Sequence, residues 1–375
     1  MTASQKSRER LKLLWSLAGV IFALIILKNP FYALRLSVQA GIAVWFVDFA
    51  VVLILLAHPI TTRLAVIIAG GFCALPCFLV APPLFRSSLM IVMALPFVIV
   101  AASLFAPPTT GFRGRLAYFF TWMNTQKIQC RSRALSGAAL FHLIAATVIL
   151  AAAMAGVKMV PAAGFWLPVR WFVGGIMMVA FAEMLTASHY FLTGLMGLDA
   201  PALMRSPVLS ASVGEFWGKR WNVAASNLGF RPLAFAPCAR YGIVPALFAA
   251  FFLSAVAHLL LAYMALLRWD LSLACGAFFL VQPLLILAER RMNVRRWPTA
   301  AARAWTLAAL AITSPLFVEP ALQVIAPSWG PPDSVLMPTL VALGCALVVN
   351  LFFLAGQLIF CPRLAVASGG EKLAG

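Results

Sequence analysis

The chain has 375 residues, of which 63% are hydrophobic and only 10% are charged, and its mean hydropathy is +0.99. A soluble protein of this length carries about a quarter charged residues, so this composition excludes a soluble globular domain and predicts a polytopic membrane protein. Twenty-eight Lys and Arg against 10 Asp and Glu give a net charge of +18. Because most of these bases stand in short connectors between apolar runs, the charge indicates membrane topology, and no nucleic-acid partner is predicted.

The apolar runs predict an all-α integral membrane protein with about ten transmembrane helices and short interfacial helices, in one multi-span domain over 1–375. The first run follows a basic N-terminus and is predicted to be a retained span rather than a cleaved signal peptide. The loop 107–133 mixes aromatic and basic residues, which is typical of an interfacial helix. In chain order the runs are 11–27, 37–57, 64–81, 88–106, 135–157, 170–196, 241–267, 271–288, 304–326 and 335–360.

The distribution of bases predicts the orientation of these spans. When the connectors are assigned alternately to the two sides of the membrane, most of the 28 Lys and Arg residues fall on one side. That side carries both termini and the loops 107–133, 197–240 and 290–303. Since cytosolic loops are enriched in bases, both termini and these loops are predicted to be cytosolic. The location is then the inner membrane in a bacterium, or the endoplasmic reticulum in a eukaryote.

The seven cysteines indicate neither a disulfide framework nor a metal site. Their number is odd and most of them lie inside apolar runs, where cysteine behaves as a small hydrophobic residue. Cys73 and Cys77 are close together, but no histidine or second cysteine pair accompanies them, so no metal ligand is predicted.

One long segment is neither a span nor a simple connector: RSPVLSASVGEFWGKRWNVAASNLGF, from Arg205 to Phe230. Ser212 and Glu215 fit a capping box, in which Ser212 begins a helix and Glu215 stands at its third position. A helix beginning there would place Trp217 and Trp221 on one stripe, with Glu215, Lys219, Asn222 and Ser226 on a neighbouring stripe. The spacing alone leaves a second interpretation open, an interfacial helix whose tryptophans lie at headgroup depth.

A second unusual element is His258, near the middle of the apolar run 241–267. An ionisable side chain at that depth is costly, so we expect it to face the bundle interior or a cavity, where Ser254 at i−4 lies on the same face. A neutral histidine bonded to a neighbouring helix is the structural alternative. The acids Asp48 and Glu183 lie deepest within other spans, and they support an alternative function, a multi-span transporter or permease.

The motif EFWGKRWN (215–222) followed by His258 in the apolar SAVAH run resembles the membrane-bound O-acyltransferase family, in its wax-synthase-like branch. The resemblance covers about residues 205–290 in detail, and Glu289 matches the acid that ends a span in that branch. The rest of the chain is similar only in being multi-span. One position departs from the branch pattern, since Leu259 stands where a glutamate usually follows the histidine.

This resemblance implies a membrane enzyme that moves an acyl group from acyl-CoA, its co-substrate, to a hydroxyl of a lipophilic acceptor such as a long-chain alcohol, with no cofactor. It implies His258 as the catalytic residue and Asn222 as its polar companion. A neutral imidazole suits the removal of a hydroxyl proton, and Asn222, Ser254 or Gln282 would stabilise the oxyanion. The candidate residues for binding substrate and acyl-CoA are Glu215, Phe216, Trp217, Lys219, Arg220, Trp221, Ser254 and Gln282. The oligomeric state is left open.

Overall fold

The computed structural model describes residues 37–57, 129–130, 137–195, 198–199, 203–223, 225–325 and 335–360. Apart from one short strand pair, every regular element in these ranges is helical, which confirms the predicted all-α class. The long helices are α1 Val38–Ala57, α2 Gly137–Met159, α3 Leu167–Leu195, α4 Ile243–Leu266, α5 Trp269–Arg291, α6 Thr299–Thr313, α7 Pro315–Ile325 and α8 Leu336–Phe360.

Shorter elements connect these helices. Gln129–Cys130 and Leu198–Asp199 form an antiparallel strand pair in which Gln129 faces Asp199. Single 3₁₀ or α-helical turns cover Gly164–Trp166, Pro207–Leu209, Val213–Glu215, Ala236–Cys238, Ala239–Tyr241 and Val294–Arg296, and π-helical segments cover Phe216–Arg220 and Ala225–Phe235.

Within the described ranges, five helices are long and apolar enough to cross a membrane. They are α2, α3 together with the turn before it, α4, α5 and α8. The pair α6–α7 passes the same test as one span, but it is bent by 54° at Ser314 and Pro315, so six spans are described at most. These six agree with the predicted runs from 135 onward, and α1 lies in the predicted run 37–57. The runs 11–27, 64–81 and 88–106 and most of loop 107–133 lie outside the described residues.

The described residues divide into two compact units. Unit 1 contains 37–57, 229–280 and 323–325, and unit 2 contains 129–130, 137–195, 198–199, 203–223, 225–228, 281–322 and 335–360. Helix α5 contributes residues to both. The predicted single domain over 1–375 remains a prediction.

A three-helix assembly of α2, α3 and α8 forms much of unit 2. Helices α2 and α3 run antiparallel, since the Arg170 guanidinium donates to the carbonyl oxygens of Val157 at 2.6 Å and Val160 at 3.0 Å. Helix α8 packs beside α3, where Asn350 Nδ2 donates to Ser188 Oγ at 2.8 Å. Such hydrogen bonds between helices hold a bundle together where the surrounding lipid is as apolar as the side chains.

Close approach of α7 to α3 depends on Gly174. A Cβ atom at that position would lie 2.6 Å from Val318 Cγ1 and 3.1 Å from Leu322 Cδ1. Small residues at helix crossings permit this proximity in membrane proteins. On the same face, Trp171 Nε1 donates to Glu319 Oε2 at 2.8 Å, which gives the carboxylate of α7 a partner.

Candidate active site

The segment 205–223, which we call the motif segment, begins its helical part with the predicted cap. Ser212 Oγ accepts the Glu215 N–H at 2.9 Å, which confirms Ser212 as the N-cap. The Glu215 carboxylate returns to the chain one residue earlier than in a standard capping box, accepting the Ala211 N–H at 2.8 Å. Two of the amide groups at this start are therefore satisfied by side chains of the segment itself.

The prediction of one continuous α-helix through the motif is wrong. After the single α-helical turn Val213–Glu215, residues Phe216–Arg220 form a π-helical turn, closed by a bond from the Trp221 N–H to the Phe216 carbonyl at 2.8 Å. Trp221 then takes an extended conformation, and Asn222 has a φ of +39°. The wider π turn brings residues five apart together, where an α-helix brings those three or four apart.

This wider turn explains two contacts of the motif that α-helical spacing does not. The ring of Phe216 stacks on Trp221, with centroids 5.3 Å apart and planes within 15°. Arg220 Nε donates to Glu215 Oε1 at 2.7 Å. The Trp217 ring meets both aromatic neighbours edge-on, 5.0 Å from Phe216 and 6.3 Å from Trp221. The three rings therefore form one cluster, which favours a scaffold role for the two tryptophans.

The two adjacent bases of the motif have different environments. The Arg220 guanidinium is held by Glu215 and also donates from Nη1 to the carbonyl oxygens of Arg205 at 3.0 Å and Ser206 at 3.4 Å. Lys219 is exposed. Arg220 is thus occupied with closing the segment on itself, whereas Lys219 stands toward solvent, where a soluble anion has access.

The contacts of Glu215 determine the pKa of its carboxyl group. Burial raises the pKa of its carboxyl, but the Ala211 N–H bond and the Arg220 guanidinium outweigh that effect, so the pKa lies below its ordinary value. Glu215 is therefore an ionised, hydrogen-bonded carboxylate that organises the motif segment.

The motif segment lies antiparallel along the C-terminal half of α5. Its Val213 and Gly214 amides donate to Glu289 at 2.6 and 3.3 Å, and Trp217 Nε1 donates to Gln282 Oε1 at 3.0 Å. Between them, a Cβ on Gly214 would stand 3.7 Å from Ile286. Residues 282, 286 and 289 are spaced by four and three positions, so they share one face of α5.

Gln282 is completely buried in this contact. Its Oε1 accepts from Trp217, and its Nε2 donates to Thr313 Oγ1 of α6 at 3.4 Å. This arrangement makes Gln282 a link between the motif segment, α5 and α6. Its predicted role as an oxyanion donor remains a prediction.

Asn222 caps the helical segment that follows it. It is exposed, and its side-chain Oδ1 accepts the Ala225 N–H at 3.1 Å, as the N-cap of the π-helical segment that follows. Its positive φ belongs to a region that asparagine tolerates better than most residues. Its predicted role as companion of His258 remains a prediction, because the motif segment belongs to unit 2 and His258 to unit 1.

His258 is oriented by its own helix and by one ring of α5. Its Nδ1 lies 2.8 Å from the Ser254 carbonyl oxygen and 3.4 Å from Ser254 Oγ. A carbonyl oxygen only accepts hydrogen bonds, so Nδ1 carries the proton. In the neutral ring, Nε2 is then the basic nitrogen. The imidazole stacks on Phe279, with centroids 4.0 Å apart and planes at 27°.

Leu259, the residue that departs from the branch pattern, lies in the contact between α4 and α5. A Cβ on Gly276 would come within 3.3 Å of Leu259 Cβ and 3.4 Å of the Ala255 carbonyl oxygen. The two helices therefore meet closely at Gly276, one turn before Phe279. Position 259 serves packing here, and the carbonyl of Ser254 orients the histidine.

The acids of the alternative transporter hypothesis differ from one another. Glu183 forms a pair with His142 of α2, with Oε2 3.3 Å from Nε2. Asp48 is buried in α1, and neither of its carboxylate oxygens has a hydrogen-bond partner among the described residues. His189 is also buried, in α3.

Sequence reasoning missed several residues that hold the motif segment in place. The sequence indicates Glu289 only through its match to the branch pattern. A lone acid at the end of an apolar run is the feature that marks this residue for attention. Ile286, Trp305 and Thr313 carried no signal, since aliphatic, aromatic and hydroxyl side chains are common at the ends and interfaces of membrane helices.

Comparison with known proteins finds similarity in the region that contains the motif segment and His258. Residues 200–281 match the sequence profile described as the Membrane bound O-acyl transferase family. A similar protein is the Probable long-chain-alcohol O-fatty-acyltransferase 7 of Arabidopsis thaliana, 29% identical over 146 residues, or 35% of this chain. The match covers 42% of that relative, so the chain spans less than half of its length.

Proposed function

We propose that this chain is a wax-synthase-like member of the membrane bound O-acyl transferase family and acts as a membrane O-acyltransferase. It moves an acyl group from acyl-CoA to the hydroxyl of a lipophilic acceptor. The name of the Arabidopsis relative favours a long-chain alcohol as that acceptor. His258 is the general base of the proposed reaction.

The observation that carries this proposal is the 2.8 Å contact between Nδ1 of His258 and the Ser254 carbonyl oxygen. Because a carbonyl oxygen only accepts hydrogen bonds, Nδ1–H donates to it and the neutral ring presents Nε2 as a base. The stacked Phe279 ring fixes the plane of the imidazole, so the basic nitrogen has a defined direction. An oriented neutral imidazole is the group that most often removes a hydroxyl proton in enzymes.

In the proposed reaction, Nε2 of His258 accepts the proton of the alcohol while the alcohol oxygen attacks the thioester carbonyl. The carbonyl electron pair moves to the oxygen and forms a tetrahedral oxyanion, which a hydrogen-bond donor would stabilise. Collapse of this intermediate breaks the carbon–sulfur bond, and the imidazolium returns its proton to the departing thiolate. The products are an ester and free coenzyme A, and the histidine is regenerated.

Asn222 and Lys219 are assigned supporting roles. The family resemblance supports Asn222 as the polar companion of His258. Lys219, exposed beside the aromatic cluster, is the base of the motif with access to a soluble anion, and we assign it to the phosphates of coenzyme A. Arg220 is assigned to the structure of the motif segment because Glu215 and two backbone carbonyls already hold it.

The test is transfer from palmitoyl-CoA to hexadecanol by the purified protein in lipid vesicles. His258→Asn retains an amide donor for the Ser254 carbonyl but lacks the basic nitrogen, so transfer should fall by about 10²–10⁴-fold with unchanged protein yield. His142→Asn, at another intramembrane histidine, is the matched control and should stay near wild type. Full activity of His258→Asn would refute the base assignment. Absence of transfer by wild type with every alcohol tried would refute the proposed activity.

A further inference from the structure

The carboxylate of Glu289 joins two segments that are distant in sequence. Oε1 accepts the Val213 N–H at 2.6 Å and Trp305 Nε1 at 3.1 Å, and Oε2 accepts the Gly214 N–H at 3.3 Å. Glu289 is 5% exposed and Val213 is fully buried. A single buried side chain therefore links the start of the motif segment to α5 and α6.

The Val213 and Gly214 N–H groups need an acceptor because they lie at the start of a helical turn. The first amides of a helical turn have no acceptor within the helix, and they carry a partial positive charge. Ser212 satisfies the amide of Glu215, and Glu289 satisfies the amides of Val213 and Gly214. A carboxyl group has two oxygens that accept hydrogen bonds, so the single Glu289 side chain can receive all three N–H groups.

Together with the Trp217–Gln282 bond, Glu289 fixes the motif segment along α5 at two points, Val213 and Trp217, which are four residues apart in the segment. The two fixed points enclose the turn that leads directly to Lys219 and Asn222. Loss of Glu289 would release the start of the segment from α5 and α6. A displacement of about 1 Å at a reacting group is sufficient to reduce catalysis by about 100-fold.

We propose that Glu289 is a positioning residue for the acyl-transfer reaction. It holds the motif segment in its reactive position and takes no part in proton transfer. This inference rests on the proposed function, since it assigns Glu289 a role in that reaction.

The chain provides a matched control for this chemistry. Glu319 accepts a tryptophan N–H from Trp171 at 2.8 Å, in the contact between α3 and α7 of the same unit. Glu319→Gln therefore changes a similar carboxylate–indole pair in a different helix contact. A second comparison is Trp305→Phe, which removes one donor to Glu289 and leaves both motif amides bonded.

The experiment measures palmitoyl transfer to hexadecanol together with trypsin cleavage after the exposed residues Arg205 and Lys219. We expect Glu289→Ala to lower kcat/KM by about 100-fold. Glu289→Gln, which can retain the two Oε1 bonds, should lower it by about tenfold. Cleavage should become several-fold faster in both variants, whereas Glu319→Gln should remain within about twofold of wild type in both measurements. Trp305→Phe, which removes one of the three bonds to Glu289, should have an effect smaller than that of Glu289→Gln.

The pH dependence of kcat separates positioning from proton transfer. Because Glu289 only holds the segment, Glu289→Gln should keep the wild-type midpoint while its maximum falls. A shifted midpoint would show that Glu289 exchanges protons in the reaction, and would overturn the inference. Wild-type cleavage and activity in Glu289→Ala, in a protein whose wild type is active, would also overturn it. A wild type that transfers no acyl group would instead refute the proposed function, and with it the catalytic role given to Glu289.

Discussion

The motif segment and the helix that carries His258 hold their polar side chains in two different ways. His258 is oriented by a carbonyl four residues earlier in its own helix and by one ring of the next helix. The motif segment is fixed by bonds between residues 65 and 76 positions apart, from Trp217 to Gln282 and from Val213 to Glu289. The orientation of His258 thus combines a bond within its own helix with one ring of the next helix, whereas the motif segment is held to α5 by bonds between distant residues.

This difference predicts where substitutions will act. A change in the contacts of the motif segment should alter its accessibility as well as activity. A change near His258 should alter activity and leave the motif segment protected from protease.

The largest expected effect is at Arg220. Arg220→Met removes one of the two partners of the Glu215 carboxylate and the bonds to the carbonyl oxygens of Arg205 and Ser206, so the two ends of the motif segment are no longer joined by this side chain. We expect kcat to fall by about 100-fold through misplacement of the segment. Lys219→Met, at the neighbouring exposed base, should chiefly raise the KM for palmitoyl-CoA by a few-fold, and more at low salt than at high salt. Equal kinetic effects of the two substitutions would contradict the division of roles between these bases.

A smaller effect is expected at Gly276. Leucine at this position would push α5 away from Leu259 and Ala255, and so weaken the stacking of Phe279 on His258. Transfer should fall by about tenfold, because the imidazole loses the ring that stacks on it and is less well oriented. Gly276→Ala adds a single methyl group at 3.3–3.4 Å from its neighbours and should cost less.

The control for this substitution is trypsin cleavage of the motif segment, which should be the same in both Gly276 variants as in wild type. Faster cleavage would show that the two regions are not independent. Full activity of Gly276→Leu would show that the Phe279 stack does not orient the base.

The parts of the fold that depend on local sequence were predictable. Apolar runs give the spans from 135 onward, because a chain in lipid must satisfy its backbone bonds within each helix. Ser212 and Glu215 give the start of the motif helix because their side chains bond amides within four residues. Ser254 and His258 share a face for the same reason, since helical spacing places i and i+4 together.

The rest of the candidate site depends on contacts that spacing does not encode. Trp217 and Trp221 fit an α-helical stripe, yet Glu215 and Phe216 each meet a partner five residues later, so the chain forms a π turn. The pairing of Trp217 with Gln282 and of Val213 with Glu289 requires the packing of α5 against the segment. The residue pattern of the motif segment and that of α5 do not indicate this packing, because each pattern is equally compatible with an element that does not contact the other.

The smallest expected effect concerns acid stability through Glu215. Its pKa is lowered in the folded protein by the Ala211 amide and the Arg220 guanidinium, which outweigh burial. A lowered pKa means that the folded state binds this proton less readily than the unfolded state. The stabilising contribution is therefore complete above the ordinary glutamate pKa of about 4.5 and is lost as the pH falls through the lower folded-state value. Glu215→Gln should remove this dependence, because an amide does not titrate.

The measurement is the rate of cleavage of the motif segment by trypsin at neutral pH and by an acid protease as the pH is lowered below about 4.5, each relative to the unfolded protein. Wild type should become more accessible over that range, and Glu215→Gln should be accessible already at neutral pH with little further change. Gly276→Leu leaves the Glu215 carboxylate and its partners unchanged and should follow the wild-type curve. A motif segment that stays protected in Glu215→Gln would show that Glu289 and Gln282 alone suffice to hold it, so that tertiary contacts outweigh the local carboxylate even at the start of the helix.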